Sequence, residues 1–149
     1  MGMTQHQTFT PADDYETVRA AIAYLSETGA EDVDLARFSR SLGMTERQLT
    51  DLFRRWCGLS PKSFAQAVAL NHAKRLLAEK ASVLSTTFEV GLSSTSRLHD
   101  LFVTYEAMPP GAFRQRGEGL DMIWGAAPSP FGTAVLVVTE YGLAGIGFA

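Results

Sequence analysis

The chain has 149 residues, of which 46% are hydrophobic and 19% charged, with one cysteine and a net charge of −3. That composition excludes a disordered chain and suits one full domain, or one compact domain with a fragment of another. Cys57 alone permits neither an internal disulfide nor a cysteine-cage zinc site, Met1 to Pro11 lack a signal-peptide pattern, and no apolar run reaches the roughly 20 residues that span a bilayer. A cytoplasmic protein with no membrane partner is expected.

In chain order, residues 1–12 read as a flexible arm. Residues 13–27 predict an amphipathic helix through Val18, Ile22 and Leu25, ended by Thr28-Gly29. A short helix follows from Asp34, its cap, to Leu42, and Gly43 makes a turn. Thr45 caps a third helix, where Leu49, Leu52, Phe53 and Trp56 form one core-facing stripe at i, i+3, i+4 and i+7. Gly58 stops it and Ser60-Pro61 opens a long helix over Lys62 to Lys80, through Phe64, Val68, Leu70, Leu76 and Leu77.

The pattern then repeats. Leu98, Leu101, Phe102 and Tyr105 follow the first stripe at an offset of 49 (98 − 49), and Pro61 and Phe64 recur at Pro110 and Phe113. Leu35 matches Leu84, and Thr45 matches Ser94. Gly43 is answered by Gly91, one position early. A short helix, a glycine turn and a longer helix with one apolar face is the outline of a helix-turn-helix, used here twice. After Arg116 the character changes, with no further lysine or arginine. Leu120 to Gly125, Thr133 to Thr139 and Leu143 to Ala149 predict two or three strands, too few to stand alone, and the pattern stops midway at Ala149. The fold class expected is mainly α, with a short β-hairpin or partial sheet at the C-terminus.

Charge is segregated along the chain. Residues 1–34 carry seven acids against one arginine, residues 35–116 twelve Lys and Arg against six acids, and residues 117–149 three acids alone, giving −6, +6 and −3. A basic middle on paired helix-turn-helix units fits double-stranded DNA, since a helix enters the major groove where each base pair shows a distinct donor and acceptor pattern. The core-facing stripe points the other side of each third helix outward. Base readout is therefore assigned to Glu46, Arg47, Thr50 and Asp51 in the first unit and to Thr95, Ser96, Arg97, His99 and Asp100 in the second. Arg47 and Arg97 are the leading readers, because a guanidinium can bond both acceptors of guanine. Phosphate contacts are assigned to Thr45, Arg54, Arg55, Lys62, Lys74, Arg75 and Ser94. Asp51 and Asp100 suit pairing with nearby cations or capping better than an approach to phosphate.

The linking helix from about Ser63 to Lys80 is on the order of 27 Å long, against about 34 Å between successive major grooves, so one chain could serve two adjacent grooves as a monomer. His6, His72 and His99 lack metal-ligand spacing; no metal, cofactor or catalytic residue is expected.

Gly58-Leu59-Ser60-Pro61-Lys62-Ser63-Phe64, Ala73-Lys74-Arg75-Leu76-Leu77 and the run from Val90-Gly91-Leu92-Ser93-Ser94 to Pro109-Pro110-Gly111-Ala112-Phe113-Arg114 resemble AraC-type tandem helix-turn-helix domains over roughly residues 14–116. The resemblance implies a seven-helix, two-subdomain DNA binder acting in transcription, with RNA polymerase as a possible further partner. Many members carry arginine at the position of Ala69, so that contact is absent here. Ser129-Pro130-Phe131-Gly132-Thr133, followed by an apolar strand and Gly142-Leu143-Ala144-Gly145-Ile146, resembles the opening of the methylated-DNA cysteine methyltransferase family. The two parts in this order resemble Ada-type alkylation-repair regulators. Their acceptor Pro-Cys-His-Arg segment and four-cysteine zinc module are absent, and Cys57, between Trp56 and Gly58, suits packing rather than methyl transfer.

The domains expected are thus the arm at 1–12, the tandem helix-turn-helix at 13–117, and the incomplete start of a methyltransferase-like domain at 118–149. The leading function is a sequence-specific regulator linked to alkylation repair. Two other readings stay open: the DNA-targeting fragment of a methyltransferase enzyme, and a protein-docking module that leaves DNA unread.

Overall fold

The computed structural model describes residues 11–149. The predicted arm and His6 lie outside them, apart from Pro11 and Ala12, which open the first helix. In chain order the elements are α1 (Pro11–Glu27), α2 (Leu35–Ser41), α3 (Glu46–Cys57), α4 (Pro61–Ala78), α5 (Val83–Glu89), α6 (Thr95–Glu106), α7 (Pro110–Arg114), β1 (Ile123–Ser129), β2 (Gly132–Thr139) and β3 (Gly142–Phe148). The described residues thus form seven helices and one antiparallel sheet, ordered β1-β2-β3, as the fold class expected. Two compact units divide within α4, between Ala67 and Val68.

The first unit packs Val18, Ala21 and Leu25 of α1 against Met44, Leu49, Leu52 and Phe53, with Ala65 from α4. The buried face of α1 runs through Ala21 rather than the predicted Ile22, which is half-exposed. Asp14, Val18, Ala21 and Leu25 stand at i, i+4, i+7 and i+11, and Ile22 lies about 100° round from Ala21. Tyr24 stacks on Phe38 with ring centroids 4.2 Å apart, and its hydroxyl accepts from the Asp34 backbone N–H at 3.1 Å, fixing the link between α1 and α2. Trp56 departs from its predicted place. It is 46% exposed and lies against Tyr15 of α1, with centroids 6.3 Å apart, because it stands in the last turn of α3.

In the second unit Ala69, Leu70, Ala73 and Leu77 of α4, Val90, Leu92, and Leu98, Leu101 and Phe102 of α6 are buried. Tyr105, the counterpart of Trp56, is again half-exposed. Half of the buried positions of α4 are alanines, small enough to let neighbouring backbones approach; the predicted Phe64, Val68 and Leu76 are only half-buried. One aromatic contact recurs across the repeat: Phe53 meets Phe64 edge-on at 5.4 Å, and Phe102 meets Phe113 edge-on at 5.3 Å.

The repeat has two offsets. α3 and α6 correspond at 49 (95 − 46), but α2 and α5 correspond at 48 (83 − 35), as do their caps Asp34 and Ser82. The partner of Leu35 is therefore Val83, and the predicted partner Leu84 is 59% exposed. One residue is added in the second turn, where Leu92 and Ser93 stand in place of Met44. Both turns keep one design. Gly43 (φ 68°) and Gly91 (φ 73°) adopt the left-handed conformation that glycine tolerates, and the next residue, Met44 or Leu92, is buried. Each of these residues donates its N–H back to a carbonyl five positions earlier, Ser39 or Thr87, at 3.0 Å.

Position 86, the counterpart of Phe38 at that offset, carries a cost. The Thr86 hydroxyl is fully buried with no hydrogen-bond partner among the described residues, whereas Thr87 donates to the Val83 carbonyl at 2.8 Å. A buried unsatisfied hydroxyl costs about 1–3 kcal/mol. Thr86→Val, nearly isosteric, is expected to raise unfolding free energy by about 1 kcal/mol in urea titration; an unchanged or lower midpoint would show that the hydroxyl is satisfied.

In the sheet, β1 begins three residues later than the predicted strand at Leu120 and includes Pro128, which an edge strand tolerates. Ser129 closes the first turn, its hydroxyl donating to the Gly132 carbonyl at 2.7 Å and accepting from the Phe131 N–H at 3.2 Å. A bulge at Val137/Val138 shifts the β2–β3 register. The sheet is tied to α6 near its end: the Thr139 hydroxyl donates to the Ala107 carbonyl and accepts from the Tyr141 N–H at 3.1 Å.

Candidate nucleic-acid interface

α3 and α6 position the candidate readers. The Thr45 hydroxyl accepts from the Gln48 N–H at 3.2 Å while the Gln48 side chain accepts from the Thr45 N–H at 2.9 Å, a reciprocal capping box. Ser94 caps α6 more simply, accepting from the Arg97 N–H at 3.4 Å. With Leu49, Leu52 and Phe53 buried, α3 turns Glu46, Arg47, Asp51, Arg54 and Arg55 to solvent, with Thr50 half-buried at the edge. With Leu98, Leu101 and Phe102 buried, α6 turns Thr95, Ser96, Arg97, His99 and Asp100 to solvent. Within each unit, the structure gathers the predicted readers on one exposed helix face.

Two solvent-exposed side-chain contacts lie on those faces. Arg47 Nε stands 3.8 Å from Asp51 Oδ2 one turn on, the arginine side chain being 92% exposed. His99 Nδ1 stands 3.9 Å from Asp100 Oδ1. Arg54 and Arg55 occupy the last turn of α3, where the exposed carbonyls favour a cation.

Of the predicted phosphate contacts, Thr45 and Ser94 serve as the helix caps, and the five cations fall into two groups. Arg54, Lys62 and Arg75 are exposed. Lys74, and Arg55 although its side chain is largely exposed, are engaged within the protein. An Arg55 Nη2 donates to Asp14 Oδ2 at 2.7 Å, tying α3 to the nearly buried carboxylate of α1. Lys74 Nζ donates to Glu106 Oε1 at 2.7 Å, tying α4 to α6, and stands 5.6 Å from the centre of the Phe113 ring. Neither partnership is legible in sequence, as the pairs lie 41 and 32 residues apart. Gln48 was also missed, although the Thr-x-x-Gln spacing of a capping box signals it. Ala69 is buried on α4.

Cys57 is half-buried and packs against the first core. Burial disfavours its thiolate and raises its pKa above the ordinary thiol value. Ellman's reagent at pH 8 is accordingly expected to label it more slowly in the folded chain than in urea. Equal rates would place the thiol in open solvent. Among the described residues no group of three or more His, Cys, Asp or Glu is placed to hold a metal, and no helix is long and apolar enough to cross a membrane.

A family model described as a helix-turn-helix domain matches residues 38–116, more than half of the chain. The chain belongs to the AraC-type helix-turn-helix family. It is 28% identical over 88 residues to YbfI of Bacillus subtilis (strain 168), an uncharacterized HTH-type transcriptional regulator; the match covers 59% of this chain and 31% of that relative. The chain thus spans about a third of the relative's length.

Among solved structures, an AraC-type DNA-binding domain-containing transcriptional regulator from Chromobacterium violaceum is similar at a TM-score of 0.60, with 20% identity, covering 72% of this chain and 97% of the other. The DNA-binding domain of AdpA, a global transcriptional factor solved with a target DNA, is similar at 0.57, with 24% identity and coverages of 69% and 90%. At these identities the likeness is one of fold. The matched family segment ends at Arg116, so β1 to β3 lie outside it.

Proposed function

We propose that this chain is a regulator that reads double-stranded DNA with the exposed faces of α3 and α6. The observation that carries this reading is the duplicated helix-turn-helix, each copy presenting a capped helix with its apolar side buried and a polar, arginine-bearing side exposed. The AdpA domain, solved on DNA, shares the fold and supports the reading. Arg47 and Arg97 supply base readout with Glu46, Thr50, Asp51, Thr95, Ser96, His99 and Asp100. Arg54, Lys62 and Arg75 meet phosphates, joined by Thr45, Ser94, Arg55 and Lys74 to the extent that their internal hydrogen bonds allow. One chain carries two reading helices, so a monomer suffices. Polymerase contact is a secondary role for the same domain.

Fluorescence anisotropy tests this directly, comparing the DNA upstream of the chain's own gene with a scrambled duplex across a salt series. Tighter binding to the upstream DNA, with steep salt dependence on both, is expected. Equal binding would leave a delivery domain without sequence preference, and no binding at low salt would overturn the DNA reading in favour of protein docking.

A second reading concerns residues 118–149, which we propose to be the opening strands of a methyltransferase-like domain linked to alkylation repair. It rests on the resemblance of the Ser129-to-Thr133 turn and the Gly142-to-Ile146 strand. Exposed Ile123, Trp124, Phe131, Leu143, Ile146 and Phe148 favour it, since apolar side chains on a small sheet suit burial by further chain. Reading the coding sequence past Ala149 decides it. An in-frame Pro-Cys-His-Arg segment would support the link, and its absence would remove it.

A further inference from the structure

The second unit contains a cavity of about 310 Å3 that the DNA-reading faces do not use. Its walls are apolar: Ala78 at the end of α4, Met108 between α6 and α7, Phe113 of α7, and Met122 just before β1. Lys80, Arg114 and Arg116 line it as well. Among the described residues no carboxylate stands within ion-pair distance of any of the three. Three cations around one apolar cavity, none held in an ion pair, form a site for an anion with an apolar body.

The backbone that carries two of these cations is unusual. α4 and α7 end in the same double hydrogen bond as α2 and α5. Lys80 N–H donates to the Leu77 carbonyl and Ala81 N–H to that of Leu76, both at 3.0 Å. Arg116 N–H donates to Phe113 at 3.0 Å and Gly117 N–H to Ala112 at 2.8 Å. The residue at the left-handed position of this motif is commonly glycine, as Gly43 and Gly91 are at the helix-turn-helix turns. At the cavity it is Lys80 (φ 71°) and Arg116 (φ 59°), in a conformation that side-chain-bearing residues rarely adopt.

Arg114 binds the two helix ends together. Its Nε donates to the Ala81 carbonyl at 2.9 Å and an Nη2 to the Lys80 carbonyl at 3.0 Å, while Lys80 Nζ returns to the Arg114 carbonyl at 3.3 Å. The mouth is therefore braced. Met108 and Met122 make the walls adaptable, as unbranched thioethers fit irregular partners. Met122 reaches over Gly117, where an added Cβ would stand only 2.7 Å from its terminal carbon.

We propose that this cavity binds an amphipathic monocarboxylate, its aryl or alkyl body against Phe113, Met108 and Met122 and its carboxylate at Arg116 and Lys80. The volume falls at the small end of the range for small-molecule sites, about 300–1,000 Å3. A singly charged carboxylate matches the guanidinium fork, whereas a phosphate would bring more charge to apolar walls and leave the cavity unfilled.

The test is an amide-resolved NMR titration of the whole chain with 4-phenylbutyrate, indole-3-propionate and octanoate, alongside 4-phenylbutanamide and inorganic phosphate. At least one carboxylate is expected to give saturable shifts at Lys80, Phe113, Gly117 and Met122, with the neutral amide at least about tenfold weaker. Arg116→Gln should weaken binding by a similar factor, and Ala78→Trp, at an exposed helix position, should abolish it by filling the cavity. Lys80→Gly should weaken binding while raising the melting temperature, a combination that loss of folding cannot produce. The proposal is overturned if no carboxylate saturates, if the amide binds equally, if Ala78→Trp binds undiminished in a well-dispersed spectrum, or if phosphate alone reproduces the shifts. The last outcome would assign the cations to the DNA backbone.

Discussion

Phe102→Ala is expected to lower the unfolding free energy by about 3–5 kcal/mol, a large part of the roughly 5–15 kcal/mol that holds a domain folded. The ring is fully buried on α6 and meets Phe113 edge-on at 5.3 Å. Truncation removes its burial, the aromatic contact and the support that aligns α7. Urea unfolding followed by far-ultraviolet circular dichroism would report the loss. Tyr105→Ala is the control: that ring is half-exposed, and its removal should cost far less. A small effect at Phe102, or equal effects at both positions, would mean that α6 is not packed through the face described.

Arg47→Ala is expected to weaken binding to the specific DNA by about 1–3 kcal/mol, or roughly 5- to 150-fold, if its guanidinium grips a guanine by two bonds. The folded chain should hardly notice the change. The arginine side chain is 92% exposed, and among the described residues it pairs only with Asp51, at 3.8 Å and screened by solvent. Arg47→Lys should fail to restore the lost discrimination, because a single ammonium cannot reproduce the planar fork. Arg54→Ala should instead weaken specific and scrambled DNA alike and reduce the salt slope by about one. Anisotropy on both duplexes distinguishes the patterns, and an Arg47 variant that loses both duplexes equally would turn this residue into a phosphate contact.

The helix-turn-helix architecture was legible because its signals are local or periodic. The apolar stripes at i, i+3 and i+4, the capping Thr45 and Ser94, and the glycines 43 and 91 all act within one or two helical turns, whereas the i+7 members Trp56 and Tyr105 lie half-exposed. Pairing across the repeat was legible for α3 and α6, whose spacing is constant, and failed at Leu84, because the residue added in the second turn shifts α5 by one. Helical spacing from Val18 admits Ile22 (i+4) as well as Ala21 (i+3), and the closely packed face of α1 takes the smaller side chain. Contacts between distant segments leave no local trace. Asp14 with Arg55 and Glu106 with Lys74 became visible only once the helices were placed. The same holds for Lys80 and Arg116, whose left-handed backbone would be read from glycine in a sequence and is occupied here by cations.

The two proposed reading helices, α3 and α6, are equivalent in backbone but not in chemistry. At the fixed offset of 49, Glu46 answers to Thr95, Arg47 to Ser96, Gln48 to Arg97 and Thr50 to His99; only Asp51 and Asp100 agree. The leading arginines are thus one step out of phase, and Gln48 is held in its cap where Arg97 stands in the other copy. If both helices read DNA as proposed, they ask for different bases. The operator they read should consist of unlike halves in a fixed order, so that exchanging the halves destroys the site even though every base is kept. A chain bound there in that way would have a heading: it would face one way along the DNA, and a promoter on one side of it would not be equivalent to a promoter on the other.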